Sequence, residues 1–394
     1  MLPDPSQRIP RAVWMLGFVS LFADISSELI HSLLPVFMVT SLGASALMVG
    51  VVEGIAESTA LIVKVFSGML SDRLGKRKAL TVFGYGLGAL AKPLFALALS
   101  VNWVLAARFI DRIGKGLRGA PRDALVADLT PPQIRGAAYG LRQSLDTIGA
   151  FLGPLLAIAL MLVWAGDFRA VFWFAVIPGT ISVALLVFGV REPDGTTAVT
   201  ADPLRWKALG ELPSAYWLVV LAGAVFTLAR FSEAFLILRA QQLGLPDAYA
   251  PLVLVVMNVV YAVAAYPFGR LADRMSRVSL LGLGLAALVA ADIVLAGAQG
   301  LVAVGAGVAL WGLHMGMTQG LLAAMVADAS PAQLRGTSFG VFNLASGIAM
   351  LLASVLAGLL WDRLGAEATF YAGAVFSAAA FGLLALGRPF AKNG

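Results

Sequence analysis

The chain is 394 residues long and 60% hydrophobic, and only 13% of it is Asp, Glu, Lys or Arg, against roughly 25% in soluble domains. That is too little charge to coat a soluble globule, and a mean hydropathy of +0.88 makes lipid the solvent for most of the chain. Cysteine is absent, which excludes disulfides and thiolate metal sites, and the net charge of +6 has to be read by where the positive residues sit.

Apolar stretches of about 20 residues, the length that a hydrocarbon core requires, fall near 12–40, 46–67, 79–99, 102–127, 134–164, 168–190, 214–238, 249–269, 279–299, 301–327, 334–361 and 366–388. They predict an all-α membrane protein with twelve transmembrane helices. The leading residues MLPDPSQRIPRAV lack the short apolar run and small-residue cleavage site of a signal peptide, so the first span is expected to be retained. With the N-terminus inside, the cytoplasmic loops hold Arg73, Lys76, Arg77, Lys78, Arg270, Arg274 and Arg277, while the outside loops hold Arg169 and Arg363. This asymmetry predicts both termini in the cytoplasm and accounts for the positive balance by topology, without a nucleic-acid partner.

Charges within the spans are costly in lipid, about 2.5 to 3.5 kcal/mol each at the centre, and are expected to face a cavity or one another. In the first span Asp24, Glu28 and His31 share a helical face, where a carboxylate in a partly dry cavity can load and release a proton as access alternates. In the second, Glu53 and Glu57 share a face with Lys64 beyond them. In the fourth, Arg112, Lys115, Arg118 and Arg122 form a basic stripe that either binds an anion or is balanced by the acids of neighbouring helices. The fifth carries Arg142 and Asp146 at i, i+4. In the second half, Arg230 and Glu233 form either a structural ion pair or a coupling site, Glu233 being the counterpart of Glu28, and Asp292 lies in the ninth span. His31 and His314 are the only histidines, too few for an obvious metal site.

Residues 191–213, REPDGTTAVTADPLRWKALGELP, are the longest polar run and read as a linker. It separates a domain over 1–190 from one over 214–394. Across it, Gly68, Asp72 and Arg73 of GMLSDRLGKRK map onto Gly269, Asp273 and Arg274 of GRLADRMSR, and ADLTPPQIRGAAYG at 127–140 maps onto ADASPAQLRGTSFG at 327–340. Self-similarity at half the chain length predicts two pseudo-symmetric six-helix bundles, the pattern of transporters built from repeats. Gly68 and Gly269 are read as places of close backbone approach. The Asp that follows each can meet the positive end of the next helix, giving a charge latch on the cytoplasmic face.

The loop GMLSDRLGKRK, with Asp72, Arg73 and Arg77, resembles the signature between helices two and three of the major facilitator superfamily, and its degenerate copy stands between helices eight and nine. Arg112–Ala120, RIGKGLRGA, is similar to that family's second motif, whose Arg is linked to proton transfer. GAFLGP, with Gly149, Gly153 and Pro154, resembles the motif of its antiporter branch, although two glycines four apart also serve plain helix packing. GAPRDALVAD resembles the end of helix four in drug exporters and keeps Asp123 and Asp128 as partners for cytoplasmic Arg residues. The resemblance implies a proton-coupled exporter of a small amphipathic compound working by alternating access. It would be a monomer in a bacterial inner membrane, with protons, the bilayer and the substrate as partners and no cofactor.

Proton symport uptake, or efflux of a metal ion, metal chelate or organic anion, remains an alternative. A membrane-embedded transferase would need a nucleophile or metal cluster at the surface, which the sequence does not supply. Two motif matches fail on context. Gly114–Gly119, GKGLRG, fits a dinucleotide fingerprint but lies within a span, and GTSFG around Ser338 fits a nucleophile elbow with no strand before it.

Overall fold

A computed structural model describes residues 9–74, 76–192, 206–272, 274–318, 320–331 and 334–386, and no strand occurs among them. The helices are α1 (Arg11–His31), α2 (Leu34–Thr40), α3 (Ala46–Leu74), α4 (Arg77–Ala96), α5 (Val101–Asp128), α6 (Arg135–Val163), α7 (Phe168–Phe174) and α8 (Val176–Gly189) in the first half. After the linker come α9 (Ser214–Ala229), α10 (Ala234–Gln242), α11 (Leu252–Ala272), α12 (Arg277–Ala296), α13 (Leu301–Thr318), α14 (Leu321–Ala329), α15 (Arg335–Leu364) and α16 (Ala366–Leu386). Eleven spans are long and apolar enough to cross a membrane among the described residues. The twelfth expected span is α5, which has the length but carries Arg108, Asp111, Arg112, Lys115, Arg118, Arg122, Asp123 and Asp128.

Four spans are broken into two helices, and local chemistry explains each break. Between α1 and α2 the hydroxyl of Ser32 donates to the carbonyl of Glu28 at 2.7 Å, competing with the helical ladder just before Pro35. Between α7 and α8, Pro178 has no N–H to return to Phe174, and the neighbouring Ala175 carbonyl accepts from the Ser26 hydroxyl at 2.7 Å as well as from the Gly179 N–H at 3.3 Å. Ser232 accepts from the Ala234 N–H at 3.2 Å and restarts the chain after Arg230. Gly320, with φ +77, opens α14, a conformation that suits glycine.

Residues 1–34 and 59–202 form one compact unit, and residues 35–58 with 203–394 form the other. In the first, α1 packs on α6 and α8, and α4 packs on α5 and α8, around a core that includes Val13, Leu16, Val19, Tyr85, Leu125 and Leu186. In the second, α12 packs on α13 and α16, and α9 on α15 and α16, around Tyr216, Val219, Phe226, Leu281, Leu285 and Val326. Residues 35–58 join the second unit through small side chains: a Cβ on Gly50 would collide with the Ser354 carbonyl, and one on Gly358 would lie 2.5 Å from the Ala46 carbonyl. Asp362 then caps α3 from another helix, accepting from the N–H groups of Ala46 at 3.1 Å and Leu47 at 3.0 Å.

The two units solve one problem by different routes. The carbonyls that end α4 are capped by Arg169, which donates to Ala96 at 3.0 Å and Ala98 at 2.7 Å. The carbonyls that end α12, at positions 200 residues further on, are capped by Arg239 of α10, which donates to Leu295 at 3.1 Å, Ala296 at 3.0 Å and Ala298 at 3.1 Å. Thus Arg169, expected only as an outside-loop charge, is a structural cap. Replacing Arg239 with Met strips three buried acceptors and is expected to lower stability by about 3 kcal/mol. Asp362→Ala, which removes one cap, should cost about 1 kcal/mol, and thermal unfolding of the purified protein checks both.

Candidate functional site

The first unit gathers its charges on the face of α5 that meets α1, α4 and α6. Arg108, Asp111, Arg112, Arg118 and Arg122 recur at three- and four-residue spacing and so line one side of the helix. All but Arg122 of this set are buried, Arg108 to 2% exposure. Burial at that depth demands partners, and each helix around α5 contributes some.

Toward the start of α5, Lys92 of α4 donates to Asp111 at 2.7 Å and to Ser27 of α1 at 3.1 Å, and Arg112 lies 3.8 Å from the same Asp111. Arg108 meets the ring of His31 at 2.6 Å. A guanidinium can only donate, so His31 Nδ1 is the acceptor and the ring carries its proton on Nε2. His31 thus engages Arg108 of α5, a partner that its spacing with Asp24 and Glu28 does not indicate.

Toward the end of α5 lies a second group. Arg118 sits over the Tyr85 ring, 4.4 Å from its centroid, with Asp24 3.9 Å away. Arg122 donates to Ser20 at 3.0 Å and to Asp123 at 3.2 Å, and stands 3.7 Å from Asp146. Arg142 reaches Asp146 at 3.4 Å and Asp123 at 3.6 Å. Asp24 and Asp146 face each other across the α1–α6 crossing, and Oδ1 of Asp146 is buried without a hydrogen-bond partner. Asp123 is the outermost member, its side chain 40% exposed.

Glycines set the distance between α1 and α6. A Cβ on Gly149 would come within 2.6 Å of the Leu21 carbonyl and 3.0 Å of Asp24 Cβ, and one on Gly153 within 2.6 Å of Glu28 Cβ. The antiporter-like stretch thus lies directly on the acid-bearing face of α1, with Pro154 inside α6. Gly114 packs the same way on α4, where a Cβ would be 2.6 Å from the Gly84 carbonyl, and Gly116 packs on α3, 2.9 Å from the Ala60 carbonyl.

Other expected residues are placed elsewhere. Lys115 is the exposed member of the α5 stripe, Glu53 is fully buried, Glu57 is half-buried, and both glutamates are on the part of α3 that belongs to the second unit. Arg230 lies within electrostatic reach of Glu233, Tyr261 and His314. Where α4 begins and α5 ends, Arg77 pairs with Asp128 at 2.7 Å, and Arg277 pairs with Asp328 at the equivalent positions of the second unit. Arg73 and Arg274 are exposed, while the side chain of Asp72 and residue Asp273 lie outside the described residues.

The close backbone approach expected at Gly68 and Gly269 is not found. A Cβ on Gly68 would meet only Ala120 Cβ, at 3.5 Å, and one on Gly269 would meet nothing within 4 Å. In the first unit the tight crossings lie instead at glycines within the spans, such as Gly114, Gly116, Gly149 and Gly153, where side chains must be small for helices to touch.

Arg108, Asp111, Tyr85, Ser20 and the pair Arg277–Asp328 were not singled out by sequence. Only Asp328 left a signal, since it repeats Asp128 within ADASPAQLRG.

The sequence profile described as Major Facilitator Superfamily matches residues 16–349 and 234–394. The chain belongs to this superfamily. An uncharacterized MFS-type transporter of Methanocaldococcus jannaschii is 33% identical over 385 residues, 95% of this chain and 94% of that protein. The inner membrane transport protein YajR of Escherichia coli is 27% identical over 393 residues, covering 95% and 82% of the two chains. The multidrug resistance protein MdtH of Photorhabdus laumondii is 29% identical over 197 residues, 50% of this chain and 47% of that one. This MFS protein is therefore a multi-pass membrane transporter with the all-α fold of the superfamily, and the transferase alternative falls away.

The glycine crossing is open to a graded test. Gly153→Ala is expected to overpack α1 against α6 and cost about 1 to 3 kcal/mol. Gly140→Ala on the same helix, with nothing within 4 Å of the added Cβ, should be neutral or stabilising by up to about 1 kcal/mol, as read from melting temperatures of the two variants.

Proposed function

We propose that this transporter exports a small amphipathic compound in exchange for protons, by alternating access, as a monomer in a bacterial inner membrane with both termini in the cytoplasm. One observation carries the reading: Asp24 and Asp146 face each other across a glycine-tight helix crossing, and a buried oxygen of Asp146 lacks a donor. A proton on either carboxyl supplies that donor. Loss of the proton leaves two like charges at short range, which favours separation of the helices or capture of a cation. The proton's arrival and departure thus change what the site prefers, as exchange requires.

Asp123, partly exposed and tied to Arg122 and Arg142, offers the route by which protons reach the pair, and Glu28 lies one turn beyond Asp24 against Gly153. The antiporter-like GAFLGP and the partial similarity to MdtH favour export, and the name of YajR supports the inner membrane. The anion reading of the α5 stripe is weakened, because Arg108, Arg112 and Arg118 already have polar or charged neighbours. Alternating access would be a rocking of the two halves, 1–190 and 214–394, joined by the 191–213 linker. Arg77–Asp128 and Arg277–Asp328 would act as latches in that cycle.

Inverted vesicles containing the protein test this with ethidium as probe. A proton gradient, acidic inside, should drive uptake of the dye. Asp24→Asn and Asp146→Asn should abolish gradient-driven uptake while leaving downhill dye exchange intact. Gradient-driven accumulation only in right-side-out vesicles, or undiminished coupling in both variants, would defeat the reading.

A further inference from the structure

The repeat that relates the units places Asp292 of α12 where the first unit has Lys92, and Trp311 of α13 where it has Asp111. In the first unit these positions make the buried pair Lys92–Asp111 at 2.7 Å. In the second they cannot. Asp292 is 0% exposed, neither of its carboxyl oxygens has a hydrogen-bond partner, and the indole N–H of Trp311 has none either.

The surroundings of Asp292 are apolar and closed. A Cβ on Gly373 of α16 would stand 2.7 Å from Asp292 Oδ2 and 3.0 Å from the ring of Phe231. Phe231 itself packs on Trp311, with centroids 5.4 Å apart, and on Phe370 at 5.6 Å.

Charged groups on the neighbouring elements are committed elsewhere. His314 of α13 is hydrogen-bonded to the Gly284 carbonyl at 2.7 Å, Arg239 of α10 caps the end of α12 and holds Glu367 of α16 at 3.0 Å, and Asp328 of α14 pairs with Arg277. Among the described residues none of these groups is hydrogen-bonded to Asp292.

An ionised carboxylate without a partner inside a membrane protein is among the most expensive groups to bury. A metal cation would need several further oxygens, and an organic ammonium would need space that Gly373 and Phe231 do not leave. A proton needs neither.

We propose that Asp292 is a proton-binding site of the second unit, holding its carboxyl as the acid and separate from the acids of α1 and α6. The site exchanges its proton only when α12 and α16 part enough to admit a polar partner. The proposal stands without the exchange reaction proposed above, since it concerns where a proton resides and not what drives transport.

Infrared spectroscopy of the purified full-length protein at neutral pH is the test. The carbonyl stretch of a protonated carboxylic acid should be present in the wild type, respond slowly to transfer into D2O, persist in Asp24→Asn, Asp146→Asn and Glu28→Gln, and vanish in Asp292→Asn. Asp292→Asn should also melt at the wild-type temperature, because no ion pair is lost, and Asp292→Ala serves as a second variant that should likewise lack the band. Loss of ionised-carboxylate absorption on substituting Asp292, a band that survives both substitutions, or failure of both variants to fold would overturn the proposal. Loss of coupled transport in Asp24→Asn with the band retained would leave both proposals standing, and the reverse pattern would separate them.

Discussion

Burying guanidinium groups on a helix that crosses lipid constrains everything around α5. At the bilayer centre each would cost about 2.5 to 3.5 kcal/mol if left to lipid, so Arg108, Arg112, Arg118 and Arg122 must be answered by neighbouring helices. His31 and Asp24 come from α1, Tyr85 from α4, which also sends Lys92 to the Asp111 of α5 that Arg112 adjoins, and Asp146 from α6. Because the answering groups are fixed on their own helices, satisfying α5 also fixes the order and rotation of α1, α4 and α6 about it. The span with the weakest hydrophobic signal therefore dictates most about the packing of its unit.

The second unit follows the same backbone plan without that charge. Its α12–α13 pair replaces Lys92 and Asp111 by Asp292 and Trp311 and replaces Gly114 by His314, and its interior includes a cluster of edge-on and tilted rings, Phe231, Phe235, Phe370, Trp311 and Trp361. What the repeat preserves is at the ends: Arg77–Asp128 matches Arg277–Asp328, and an arginine caps both Ala96 and Ala296 although it arrives from α7 in one case and α10 in the other. Helix ends impose the same unmet carbonyls whatever the interior does, so they converge, while the interiors are free to specialise.

The all-helical membrane architecture and the repeat of Arg77–Asp128 at Arg277–Asp328 were legible because they are properties of composition and spacing. Partner choice was not. His31 shares a helical face with Asp24 and Glu28, yet its ring engages Arg108, because a position on a helix restricts direction without selecting among neighbours that only the tertiary fold supplies. Arg108 and Asp111 escaped notice for the same reason: nothing in the run ARFIDRIG distinguishes a pair that will be buried from charges at a helix end. The glycine expectation at Gly68 and Gly269 failed because a loop-proximal glycine was given the role of the mid-span glycines, where two backbones do come together.

Gly149 and Gly153 show why packing and function need not compete as explanations of one motif. Their missing side chains bring α1 close enough for Asp24 to face Asp146, and on the proposed exchange reading that proximity is what would give a proton a place to matter. Each carboxyl also has an arginine at hand, Asp24 lying 3.9 Å from Arg118 and Asp146 3.4 Å from Arg142, so an ion pair is open to each of them. The glycines therefore set a distance, and on the proposed reading the distance would set the chemistry: a motif with no functional group of its own would determine whether two acids act as separate ion-pair partners or as one titrating site.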